Sequence, residues 1–417
     1  MQITNKILSF DTVIFILLFG LLPIDMLNGY LLRDVGIAPP ITIAQLYKII
    51  LLGFLFIRVN SAEKVIFLSL VGLLLLPTVC QVATSFNIKL VFADAVKVIK
   101  YLGSVLAFFY FRTVFTNKGF LLKWVFRWLL FSFMVLVVNI FLKFFGLGFP
   151  MYTMDTLEIG SKGFFYAGNE TSGVLIILSS FLMYWFRCYN KNILFVVFGI
   201  VSVLTGLYIT SKTAILGTVL SFIFFLLFKP NKKGISVKDV MYYLVLFFVI
   251  FPLGLYALVS FLKSSDVIGR FSYFWDKLDI YTFILSSRNT FLLDFIEIFK
   301  KEYNIIEMII GVGQSTFETL NNDHIIELDF FDIYFAYGFI GALLFCLYIS
   351  FLIIKSKMKS RQYKTNIFAS YSLYITCLLL VLSFISGHIF NSGMAAIFIG
   401  CVFSIMYYKS TFDNTLL

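Results

Sequence analysis

The residues best suited to chemistry gather in two polar stretches of an otherwise apolar chain. One, NNDHIIELDFFDIYFAYGFIG (321–341), carries His324, Glu327, Asp329 and Asp332; the other, SSRNTFL (286–292), carries Arg288. A carboxylate or imidazole at the mouth of a site can take the proton of an attacking hydroxyl. A guanidinium grips phosphate oxygens with two parallel donors, which places Arg288 and Arg270 ahead of the lysines as phosphate binders. Lys212, in TSKTAILG (210–217), stands at the mouth between two apolar segments and adds a third cation. Together they suit transfer from an activated phosphate ester to a hydroxyl. The simpler alternative for Arg288 is an ion pair with one of the acids around it, since residues 263–328 hold ten acidic and six basic residues.

The chain has only two histidines, His324 and His388, and five cysteines without a CxxC pair, so no metal or disulfide framework is expected. His388, in SGHIFNSG, ranks below His324 as a catalyst and reads as a loop histidine. Asp329 and Asp332 enter an apolar helix, where unpaired carboxylates cost several kcal/mol, so a function is expected of them unless they stay at headgroup level. Lys97 and Lys100 sit a turn inside a span, and snorkelling to the headgroups is the default expectation. Asn169 opens a sequon in GFFYAGNETSG (163–173) and is kept as a substrate-binding candidate rather than a glycosylation site.

The elements that must position these residues follow from composition. Of 417 residues, 60% are hydrophobic and 13% charged, against about 45–50% and 25% in soluble domains. At ~20 residues per crossing this is about a dozen transmembrane helices, near 12–30, 41–58, 64–85, 94–112, 120–145, 170–187, 192–209, 212–228, 240–262, 329–354, 366–386 and 389–408. A soluble enzyme, a secreted disulfide scaffold, a disordered chain and a transmembrane β-barrel are excluded. The fold class expected is an all-α polytopic membrane protein, one transmembrane domain over 1–417 with a large extracytoplasmic loop at 263–328. Within that loop, 289–303 has Leu292, Phe295, Ile296 and Phe299 at helical spacing and predicts an amphipathic helix on the membrane surface or against the bundle. Gly311 and Gly313 mark a tight turn after it.

The net charge of +11 reflects the positive-inside pattern rather than nucleic-acid binding. Alternate connections are lysine- and arginine-rich, which predicts both termini on the cytoplasmic side and the long loop outside.

Four pieces in order resemble the O-antigen ligase and polymerase superfamily, more specifically the Wzy-type polymerases of bacterial surface polysaccharides: GFFYAGNETSG, TSKTAILG, SSRNTFL, and GVGQSTF followed by ELDFFDIYFAYGFIG. The resemblance covers roughly 160–345; the first five spans match in hydropathy only. It implies a GT-C type membrane glycosyltransferase in the bacterial inner membrane, with its site on the periplasmic side. That enzyme would transfer a glycan from undecaprenyl diphosphate to the non-reducing end of another lipid-linked repeat unit. Membrane lipid and a chain-length regulator protein are the implied partners, with no nucleic acid, no metal and no cofactor. Arg288 falls where the family places a diphosphate-binding arginine, and Lys212 where many members have arginine. The ligase branch has a His-Asn pair eleven residues before the glycine found here at Gly338, where this chain has Glu327. Either Glu327 is the base, the reading preferred, or His324, one turn away if the segment is helical, reaches the same place. An O-antigen ligase is the alternative within the superfamily. A lipid-linked oligosaccharide flippase is the alternative outside it, although its two related halves with short loops fit one long loop poorly.

Overall fold

The structure is a computed structural model describing residues 2–228 and 279–408, apart from 38, 40, 118–120, 155–156, 323 and 362–365. Long helices alternate in direction: α1 (Gln2–Arg33), α2 (Ile43–Arg58), α3 (Ser61–Ser85), α4 (Lys89–Asn117), α5 (Leu122–Phe141), α6 (Gly168–Cys188), α7 (Asn192–Ile209) and α8 (Lys212–Leu227). Four short helices follow, α9 (Ile280–Leu285), α10 (Arg288–Glu302), α11 (Ile305–Ile310) and α12 (Gln314–Leu320), and then α13 (Asp329–Ser360), α14 (Ala369–Ser386) and α15 (Ala396–Ser404). Seven of these are long and apolar enough to cross a membrane, as an all-α multi-pass membrane protein requires. Helices stand at eleven of the twelve predicted spans; the one at 240–262, the start of the long loop to 278, and with it Arg270, lie outside the described residues. A small antiparallel hairpin, β1 (Tyr152–Met154) with β2 (Leu157–Ile159), interrupts the helical pattern between α5 and α6.

The core forms around α6, buried without a break from Thr171 to Cys188. Its small polar residues allow close approach of neighbours, and the hydroxyls of Thr171, Ser179 and Ser180 donate to carbonyls three or four residues back. Trp128 of α5 is stacked between Phe111 of α4, at 5.7 Å, and Phe398 of α15, at 4.9 Å. At one end of the bundle Arg58 pairs with Asp11 at 3.0 Å and Arg112 with Glu63. The other end carries the candidate site.

Two departures from the expected helices shape that end. The span predicted at 389–408 is helical only from Ala396, because Gly387, Asn391, Ser392 and Gly393 break the preceding stretch. Helix α15 with its terminal 3₁₀ turn (Ile405–Tyr407) is thus ~18 Å long at 1.5 Å per residue, short of the ~30 Å hydrocarbon layer. The 387–395 segment is irregular chain, and side chains of other elements meet part of its backbone: Asp329 accepts from the Ile389 and Phe390 N–H groups and Glu170 from the Met394 N–H. The second departure is a kink in α13 at Gly338 (φ +62°). The kink accommodates the predicted glycine turn: Val312 and Gly313 donate their N–H groups to the Ala336 carbonyl at 3.1 and 2.8 Å. A side chain on either Gly338 or Gly311 would strike the backbone of the other segment.

Candidate functional site

The predicted amphipathic helix is α10, and one face of it packs on the bundle. Phe295 is fully buried, 4.9 Å from Phe317 and 4.8 Å from Phe335, with Phe299 5.1 Å from Phe335. This aromatic wedge between α10, α12 and α13 fixes the start of α10, where Arg288 is 7% exposed. The glycine turn is tied down further. Asp94 of α4 accepts from the Ser315 N–H at 2.7 Å, the Ser315 hydroxyl at 2.5 Å and the Thr78 hydroxyl at 2.5 Å. Lys97 pairs with Glu318 at 2.6 Å and so ties α4 to the loop.

Glu327 is the centre of the site. Its Oε2 accepts from Arg288 Nη2 at 2.6 Å, and its Oε1 lies 3.2 Å from His388 Nε2. Burial alone would raise the Glu327 carboxyl; contact with His388, then Arg288, outweighs it and holds the group at about 2. Burial alone would lower His388, yet Glu327, followed by Asp329 and Asp332, leaves it raised above its ordinary 6.5. The three groups form a cation–anion–imidazole row whose carboxylate stays ionised across physiological pH.

The backbone at this row is unusual. Of the eight non-glycine residues with positive φ among the described residues, four lie here: Ser286, Ser287, Glu327 and His388. Such conformations cost of order 1–3 kcal/mol each and gather at functional sites. Gly387 (φ +53°) lets the 387–394 loop cross Glu327 backbone to backbone, where any side chain would meet the Glu327 carbonyl.

Two further carboxylates hold that loop. Asp329, fully buried, accepts from the N–H groups of Ile389 and Phe390, both at 3.0 Å. Glu170, in the first turn of α6, accepts from the Ser392 hydroxyl at 2.8 Å and the Met394 N–H at 2.9 Å, with Lys100 at 3.3 Å. Asp332 accepts from the Ile326 N–H at 2.9 Å and shapes the approach to Glu327. Asp329 and Asp332 are thus buried and hydrogen-bonded to backbone N–H groups, and Lys100, still exposed, pairs with Glu170.

Of the predicted site residues, the structure joins Glu327 to Arg288 and brings Lys212 to the edge, its Nζ 3.3 Å from the Ser286 hydroxyl. Asn169 stands half-buried beside Glu170. His324 is exposed, and residues 324–328 are not helical, so the one-turn relation to Glu327 does not arise. The imidazole against Glu327 is His388, ranked low because a sequence shows no contact across 61 positions. Glu170 stands inside a sequon, and its place at the start of the buried helix α6 is the one signal in the sequence that marks it.

These features define a multi-pass helical membrane protein with a charged, hydrogen-bonded site at one end of the bundle, assembled from α6, α10, the start of α13 and an irregular segment between α14 and α15. Residues 270–409 match the family described as O-antigen ligase like membrane protein. The matched stretch is about a third of the chain and contains Arg288, Glu327, Asp329 and His388. It supports the superfamily that the four motifs resemble. No curated protein and no solved structure matches the chain.

Proposed function

We propose that the protein is a bacterial surface-polysaccharide polymerase, a membrane glycosyltransferase that moves a glycan from undecaprenyl diphosphate to the non-reducing end of another lipid-linked repeat unit. The observation that carries the reading is the sharing of Glu327 between Arg288 and His388 inside the family-matched stretch. In the reaction the acceptor hydroxyl oxygen attacks the anomeric carbon of the donor glycan. The bond from that carbon to the diphosphate oxygen breaks, the diphosphate leaves with the electron pair, and the hydroxyl proton passes to a base.

The geometry supports His388 as the base in place of Glu327 or His324. A carboxylate held at about 2 is a weak proton acceptor, whereas an imidazole oriented through one ring nitrogen by a carboxylate is a good one. Neutral His388 donates its Nε2 hydrogen to Glu327 and takes the acceptor proton on Nδ1. Glu327 orients the ring and stabilises the imidazolium. Arg288 meets Glu327 through Nη2, and its guanidinium supplies the cation for a diphosphate oxygen as charge develops on the leaving group. Lys212 adds a cation at the edge. His324, exposed, is the secondary candidate for contact with acceptor sugars, and Arg270 remains a candidate diphosphate ligand by its family position.

The second reading, an O-antigen ligase, is favoured by the match to the O-antigen ligase like family; it uses the same donor chemistry with a different acceptor. The test is incubation of purified protein with a synthetic undecaprenyl-diphosphate-linked repeat unit. A ladder of lengthened lipid-linked glycan supports polymerase. Transfer only when a different lipid acceptor is supplied supports ligase, and no transfer to either acceptor sinks both.

A further inference from the structure

Away from the Glu327 row, the flank of the bundle between α1 and α5 opens as an apolar groove of about 560 Å³, its lining including Met26, Leu27, Tyr30, Met134, Val138 and Phe164. Helical faces that meet hydrocarbon need no groove; this one ends in charge. Above it Phe164 meets Tyr30 and Phe149 edge-on, both at 5.8 Å. The Arg33 guanidinium lies 5.2 Å over the Phe149 ring and 5.1 Å over the Tyr166 ring.

Lys162, two residues before Phe164, is only 6% exposed, and its charged neighbour is Arg33, of the same sign. No carboxylate of the described residues pairs with either cation. Burial, then Arg33, lowers the Lys162 ammonium to about 8. A buried cation without a counter-ion is costly, and an anion arriving between the two would remove that cost. The position is also continuous with the catalytic loop: the Lys162 side chain runs beside Gly168, at the start of α6, and Glu170 two residues on holds Ser392 and Met394.

We propose that this groove binds the second lipid-linked substrate, its phosphate groups against Lys162 and Arg33, its polyisoprenyl chain along α1 and α5, and its sugars directed over α6 toward His388. The inference rests on the polymerase reading in naming the occupant. Two lipid diphosphates must be held at once in that reaction. Arg288 takes the one that leaves, and the groove takes the one that stays.

The experiment is native mass spectrometry of the purified full chain titrated with undecaprenyl diphosphate, with phosphatidylglycerol as competitor. The wild type should bind two equivalents. Lys162→Ala and Arg33→Ala should each weaken one of them by on the order of tenfold or more, the effect of losing a charge-assisted contact. Val138→Trp, which fills the groove and keeps both cations, should do the same, so the result does not depend on a lysine variant that fails to fold. Two equivalents retained with unchanged affinity in all three variants, or phosphatidylglycerol competing as well as the diphosphate, would overturn the proposal. Loss confined to these variants, with Arg288→Ala still binding two, upholds the groove and refutes the role given to Arg288.

Discussion

Glu327 and Glu170 are both glutamates anchoring the segment between α14 and α15, and they do so in opposite ways. Glu170 meets a hydroxyl, a backbone N–H and Lys100, partners that fix the chain and leave little to exchange with a substrate. Glu327 meets a guanidinium and an imidazole, both able to hold phosphate or carry a proton, in left-handed backbone at 35% side-chain exposure. In the proposed reaction one carboxylate is a clamp, and the other orients reactive groups. The difference teaches where to look for chemistry in a bundle rich in buried acids: at a carboxylate shared between a guanidinium and an imidazole.

Substitutions can break this comparison. His388→Ala and Glu327→Gln should lower glycan transfer the most, by ~10²–10⁴-fold, the usual contribution of a positioned base and of what keeps it oriented, while both proteins still insert in membranes. If Glu327→Gln transfers normally in the lipid-linked repeat assay, the row is structural only. Arg288→Lys comes next. It keeps the charge but cannot serve Glu327 and a diphosphate with a planar fork, so it should cost roughly tenfold or more and raise the KM for donor. Glu170→Gln should fall below these, at roughly tenfold or less, the transmitted cost of weakened hydrogen bonds to a charged group. Its signature is a lowered kcat with donor KM unchanged, since the loop carrying His388 is displaced while Arg288 is not. An equal loss in Glu170→Gln and Glu327→Gln would erase the distinction.

How much of this was legible depends on the range of the interaction. Periodicity and hydropathy are local, so the helices, the amphipathic α10 and the 311–313 turn could be read directly. Arg288 and Glu327 stand out because charged residues beside apolar spans are costly without a purpose. His388 did not, because its meaning comes from a crossing of two distant segments made possible by Gly387. The irregular stretch before α15 was misread as helix for a related reason. Its apolar content suits a span, and only Asp329 and Glu170, from other helices, supply the acceptors that let the backbone leave the helix.

The smallest effect is expected from pH, and it sharpens the comparison most. Glu327 is lowered from 4.5 to about 2, so its contribution to stability is present above 4.5 and is lost as pH falls toward 2. His388 is raised above 6.5, so its contribution is complete below 6.5 and is lost as pH rises through the raised value. The Glu327–His388 contact therefore stabilises the fold most between 4.5 and 6.5. The difference in melting temperature between wild type and His388→Gln in detergent should peak there, at a few degrees, and shrink toward pH 9. Activity should run the other way. The base form of His388 is the neutral imidazole, so kcat/KM should rise with pH along an acid limb whose midpoint lies above 6.5. In Glu327→Gln the carboxylate that raises His388 is gone, and the residual activity should show that limb shifted to lower pH. Glu170→Gln leaves the Glu327–His388 contact in place and should keep the limb where it was. An acid limb that stays put in Glu327→Gln and moves in Glu170→Gln would mean that the clamp, rather than the orienting carboxylate, sets the proton affinity of the site.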